Sequence, residues 1–216
     1  MASATRHVRR AIAQDLESVG VHVKDPADLV DTDFPYPAAI PVLIRWIDEL
    51  RTVELSDDDR GYLWETLARA LTVPQARPAA GPALAQLFRE ESLSQMTRWA
   101  VGNALDTVAD PSLLDEMLAI ATDRRFGMAR QMVVHALGRV GKGRRREEVV
   151  DRLIELLDDD TVVAHAIIAL TKLRAARAVD AIARHVDSDI PIARKSARTA
   201  VAKLRTRQPD DAPGRA

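Results

Sequence analysis

Residues 128–140, MARQMVVHALGRV, return in varied form along the chain. The echoes are MTRWAVGNALDTV at 96–108, TVVAHAIIALTKL at 161–173 and IPIARKSARTAVAKL at 190–204. Each version places apolar residues at i, i+3, i+4 and i+7, the spacing that puts them on one face of an α-helix. Aligned on Arg60, Arg98, Arg130, Val163 and Arg194, successive copies are 38, 32, 33 and 31 residues apart. A period of this length is that of a helix pair with short turns. Such a unit cannot bury its apolar face alone, so the chain must stack neighbouring pairs into a strip of core.

The other halves of the pairs are equally legible. Apolar faces run through residues 37–50, 81–92, 111–123, 147–159 and 177–188, as with Val150, Leu153, Ile154 and Leu157. Second helices are expected to start near Asp58, Gln95, Met128, Thr161 and Pro191. Helix-entry residues stand at these points: Ser56, Ser94, Asp160, and Asp189 ahead of Pro191, with Asp110 before Pro111 opening a first helix. Residues 4–19 place Val8, Ile12, Leu16 and Val19 at helical spacing and predict an amphipathic N-terminal cap, which a stacked array needs to cover its first unit. Residues 20–36, with Pro26, Pro35 and four Asp, read as a connector. Residues 207–216, rich in Pro, Gly and Asp, read as a disordered tail. The expected organisation is therefore a cap and connector over 1–36, repeats over 37–206 and a tail over 207–216. An aromatic content of 4% agrees with helices rather than a sheet sandwich.

The second-helix pattern resembles that of HEAT-repeat proteins, an armadillo-type class, and in particular the short HEAT-like repeats of the phycobilisome lyase group. The residues that carry the resemblance are Asp123 with Met128, Arg130, Ala136 and Leu137, and Asp187 or Asp189 with Ile192, Arg194, Ala197 and Ala200. Val163 stands where the family has Arg, and the first unit is ragged. The resemblance covers roughly residues 38–204. It implies an all-α, right-handed α-solenoid of about five helix pairs behind an N-terminal capping helix. It also implies that the repeated Arg pairs with Asp in the turns and that the second helices line a concave surface. It transfers no activity, since unrelated functions share the scaffold.

Composition removes several chemistries. With no cysteine there is no disulfide, thiolate nucleophile or Cys-based zinc site. The five His residues, at 7, 22, 135, 165 and 185, include no i, i+4 pair on one helix, so no metal site is expected. GRVGKG at 138–143 lacks the spacing and the Ser or Thr of a phosphate loop and follows a helix, so it reads as a turn, with Arg144, Arg145 and Arg146 adding a basic point. No nucleophile elbow or paired-carboxylate signature is present, and no catalytic residue, cofactor or metal is assigned. Net charge is −1, but it is −6 up to Asp110 (11 basic, 17 acidic) and +5 beyond it (20 basic, 15 acidic). That balance argues against nucleic acid, and nothing is long and apolar enough for a membrane, so a cytoplasmic location is expected. The preference for Arg and Ala points to a bacterial source.

What remains is a surface. On the helical wheel, Ala100, Val101, Ala104, Leu105 and Val108 set the core direction of their helix, so Trp99 points away from it, with Gly102, Asn103 and Asp106 on the same arc. The register carries this arc to Trp64 and Glu65, to Gln131, Val134 and His135, to Ile167 and Ile168, and to Lys195 and Arg198. The partner-binding face is therefore predicted to comprise Trp64, Glu65, Trp99, Asn103, Gln131, His135, Ile168, Lys195 and Arg198. Its expected occupant is a protein segment, since aromatics flanked by polar groups dominate interface energetics. The competing reading has Trp64 and Trp99 covering neighbouring helices or the 20–36 connector. An enzymatic alternative is a HEAT-like DNA glycosylase, with Trp64, Trp99 and Asp106 as the mimicking set, or a bilin lyase.

Overall fold

The computed structural model describes residues 3–30 and 32–206, and all of the regular structure among them is helical. The tail assigned to 207–216 lies outside the described residues. An N-terminal helix, α1 (Ser3–Ser18), precedes five pairs: α2 (Ala39–Glu49) with α3 (Asp57–Ala70), α4 (Gly81–Phe88) with α5 (Gln95–Val108), and α6 (Leu114–Thr122) with α7 (Gln131–Val140). These are followed by α8 (Arg146–Glu155) with α9 (Val163–Lys172), and α10 (Val179–Ala183) with α11 (Pro191–Arg205). The chain divides into two compact units, Met1–Ala136 and Leu137–Ala216.

In the first unit α1 lies on α2 and buries Val8, Ile12 and Leu16, whereas Val19 falls beyond the helix and is exposed. The connector is more than a link. Asp25 and Asp28 form a reciprocal capping box around a short 3-10 helix, Pro26–Leu29, which packs against α3. Tyr36 fastens this segment by donating its hydroxyl to Ala70 O at 2.8 Å, and the same oxygen lies 3.1 Å from Leu29 O. Burial pushes the Tyr36 phenol above its ordinary pKa.

The entry signals hold where a side chain reaches the free N–H groups of the first turn. Ser56 accepts from Asp59 N, Ser94 from Thr97 N and Asp110 from Ser112 N. Two differ. Asp159, not Asp160, accepts from Thr161 N and is buried, and α11 starts behind Ile190 with no side-chain cap. The largest departure in length is α10, expected over 177–188. Beyond it the chain tightens into i→i+3 bonds, with His185 N to Ile182 O and Val186 N to Ala183 O, while α11 takes the next carbonyls by their side.

Close helix contact needs small residues, and two glycines mark it. A Cβ on Gly102 would lie 2.8 Å from Ala129 O in the first unit, and one on Gly138 would lie 2.8 Å from Ala169 Cα in the second. Gly141, which donates to Leu137 O, is similarly crowded by Val149. The glycines of GRVGKG that lie against other helices therefore serve packing and helix termination.

Candidate functional site

The repeated arginines are largely withdrawn from solvent, and what they touch defines their role. Arg98, 7% exposed, donates to the carbonyls of Phe88, Glu90 and Leu93 at 2.5, 3.0 and 3.2 Å. Arg60 takes Leu50 O, Val53 O and Leu55 O, Arg130 takes Ala121 O and Gly127 O, and Arg194 takes Ser188 O. The Arg60, Arg98 and Arg130 guanidinia thus reach back to the end of the first helix of their own pair and satisfy carbonyls that no helical N–H can reach, whereas Arg194 reaches only the turn that follows α10. A cation there also faces the negative end of the helix dipole. These carbonyl bonds come in addition to the expected Arg–Asp attraction, which is seen where Asp123 feels the charge of Arg130. Val163 stands where that Arg would be in the fourth pair. There a short 3-10 turn, Leu156–Asp158, and the backbone of Asp159, which accepts from Val162 N and Val163 N, carry the chain across.

Trp64 is the clearest correction to the predicted face. It is 2% exposed, donates its indole N–H to Ile47 O at 2.9 Å, and lies under Arg51 and Arg60. Gly102, Val134 and Ile167 are buried as well. The physical reason is common to all four. A second helix touches its own first helix and neighbours from adjoining pairs, so its buried arc is wider than one core direction on a wheel suggests. The set of Trp64, Trp99 and Asp106 is therefore not presented together, since Trp64 is committed to the core.

The remaining first-unit residues gather on the open side of α3, α5 and α7. Asn103 and Asp106 line a cleft of about 420 Å³ with Arg69, Thr107, Met132 and Val30 of the connector. Asp106 Oδ1 is 2.9 Å from His135 Nδ1, and both side chains are 22% exposed. Glu65, one turn before Arg69, accepts from its Nε and NH2 at 3.0 and 2.8 Å. Trp99, half-buried, stands one turn before Asn103 on α5. Gln131 opens α7, with its backbone N–H on Met128 O. Thr72 and Thr107 both carry hydroxyls at the cleft, but these donate to Ala68 O and Asn103 O of their own helices. The cleft thus offers an amide, two internally paired charge sets and apolar floor, with no hydroxyl held by a base. Arg69 could have been found from its i, i+4 spacing to Glu65, whereas Val30 carries no signal of its own.

In the second unit, Ile168 and Lys195 line a groove between α9 and α11. Arg198 does not join them. It turns to the first-helix side, donating Nε to Val186 O at 2.8 Å and NH2 to Asp187 at 2.9 Å. Among the described residues no group of three or more His, Cys, Asp or Glu is placed to hold a metal ion, and no helix is long and apolar enough to cross a membrane.

Helix pairs repeated at this interval, with an inward Arg capping the preceding helix in three of the five, define a helical-repeat scaffold. Its repeats are similar to those of HEAT proteins: residues 81–163 match the HEAT repeats family, and the all-helical fold agrees with a scaffold of that kind. The deoxyhypusine hydroxylase of Bos taurus is similar, 30% identical over 115 residues that cover 51% of this chain and 36% of that protein. The match thus spans about a third of the relative's length. No solved structure matches the chain significantly.

Proposed function

We propose that the protein is a non-enzymatic scaffold or adaptor that holds an extended protein segment on the open side of its second helices, with the α3–α5–α7 cleft as the principal contact. The observation that carries this reading is Asn103 at the cleft wall, one turn from Trp99 and one turn from the Asp106–His135 pair. A primary amide both donates and accepts, so it matches a peptide unit, while the half-buried indole offers area for a neighbouring side chain. Arg69 and Asp106 are each paired within the chain, so the cleft suits a polar backbone better than a free ion. Selection from a displayed library of random peptides tests the reading. Ligands recovered on the wild-type chain should lose binding to the Asn103→Ala/Asp106→Ala variant, and equal recovery on both would refute it.

The relative's name favours one enzymatic alternative, hydroxylation of a deoxyhypusine-containing protein. Mass spectrometry of such a protein after incubation with the chain distinguishes the readings, a gain of one oxygen atom favouring the enzyme. Appearance of a bound-bilin absorbance band would likewise favour a lyase, and salt-dependent retention on DNA a glycosylase.

A further inference from the structure

We propose that the groove between α9 and α11 in the second unit is a separate docking surface for an acidic amphipathic protein segment. The inference rests on this unit alone and stands whether or not the first-unit cleft binds peptide. Two adjoining cavities, of about 420 and 410 Å³, share Thr171, Lys172 and Lys203 and so form one trough. Buried Ala193, Ala197 and Ala200 form the stripe of α11 that faces the unit, which leaves its longer side chains to make the walls.

The walls are one-signed. No Asp or Glu lines either cavity, and α11 carries five cations and no carboxylate along its 15 residues. Two of the five are engaged, Arg194 on Ser188 O and Arg198 on Val186 O and Asp187. Lys195 and Lys203 line the trough, and neither has an ion-pair partner among the described residues. Lys203 sits in the last turn, where a cation complements the helix dipole; Lys195, in the second turn, has no such reason for its place. Between them the trough is apolar: Ile168 forms its floor and Ile192, 56% exposed, its rim.

Unpaired cations beside an uncovered isoleucine ask for carboxylates and aliphatic side chains on one ligand. An amphipathic helix rich in Glu supplies both, its apolar stripe on Ile168 and Ile192 and its acids to Lys195 and Lys203. A nucleic acid would satisfy the lysines and leave the isoleucines wet, and no aromatic residue lines the trough for a base to stack on.

Fluorescence anisotropy on the full chain tests this with a labelled peptide about 16 residues long, about four helical turns, with Leu at i, i+3, i+4 spacing and Glu elsewhere. The arms are a scrambled peptide of the same composition and an oligothymidylate of similar length. The groove account predicts saturable binding of the amphipathic peptide alone, weakened at least about tenfold by Lys195→Glu/Lys203→Glu and by Ile192→Ser. It predicts no change in Asn103→Ala/Asp106→Ala, a variant of the first-unit cleft. No binding at about 100 µM peptide, well above the range of a specific weak complex, overturns the proposal. So does equal binding of the scrambled peptide or of the oligothymidylate, or loss of binding in the cleft variant. Circular dichroism of each variant separates a lost contact from a lost fold.

Discussion

Replacing Arg98 with Met removes the guanidinium while keeping an unbranched stem in the same space. The side chain is 7% exposed, bonds three carbonyls and lies against the Phe88 and Phe126 rings, its carbon 5.9 and 5.1 Å from their centroids. Burial pulls its pKa below the ordinary guanidinium value, partly offset by the charge of Glu90. A hydrogen bond to a charged group is worth about 1.5–3 kcal/mol, and the carbonyls left behind would be partly shielded from water. Since neighbouring bonds do not add, the expected loss is about 3–5 kcal/mol, or roughly 6–20 °C in melting temperature for a chain of this size. Lysine should not rescue it, because one ammonium cannot span three carbonyls in the way a planar fork does. Arg198→Ala is the internal comparison: its side chain is 62% exposed and its pair with Asp187 lies in water, so a change of about 0.5 kcal/mol or less is expected. Urea unfolding followed by circular dichroism measures both. A cost below about 1 kcal/mol for Arg98→Met, or one equal to that of Arg198→Ala, would refute the capping role.

Gly138→Ala should destabilise by about 1–3 kcal/mol, since the new methyl meets backbone of α9 rather than a movable side chain; unchanged thermal unfolding would contradict the close approach. Acrylamide should quench Trp99 more than Trp64 or Trp46, which are 2% and 8% exposed, and single Trp→Phe variants assign the signal. The side-chain hydrogen bonds from Arg125 hold the Asp123 carboxyl below its ordinary pKa, so the group contributes stability above the unfolded value that is lost as pH falls through the lower folded value. Arg125→Ala should raise that pKa toward the ordinary carboxylate range in an NMR titration.

How much of this was legible depended on whether a residue's role is local. Ser56, Ser94 and Asp110 act on N–H groups two or three residues ahead, and the sequence placed all three caps correctly. The spacing of Arg60, Arg98, Arg130 and Arg194 marked the repeat, but their acceptors are backbone carbonyls, which every residue possesses and no pattern advertises. Trp64 was misplaced because a wheel with one core direction cannot register a second neighbour, and the carbonyl of Ile47 that receives its N–H belongs to another helix. Asn103 and Asp106 were recognised as one arc, whereas the cleft they line also depends on Val30 from a segment without periodicity. Lys195 and Arg198 fall on one outward arc by count, yet the carbonyl of Val186 draws Arg198 to the other side.

A peptide-binding cleft formed by the departures from the repeat on α3, α5 and α7 would leave its mark in amide hydrogen exchange of the full chain, measured with and without a peptide selected on it. Protection should rise over residues 65–72, 99–107 and 131–135, and should not rise in the Asn103→Ala/Asp106→Ala variant. Protection confined to other segments, or the same protection in that variant, would contradict the account.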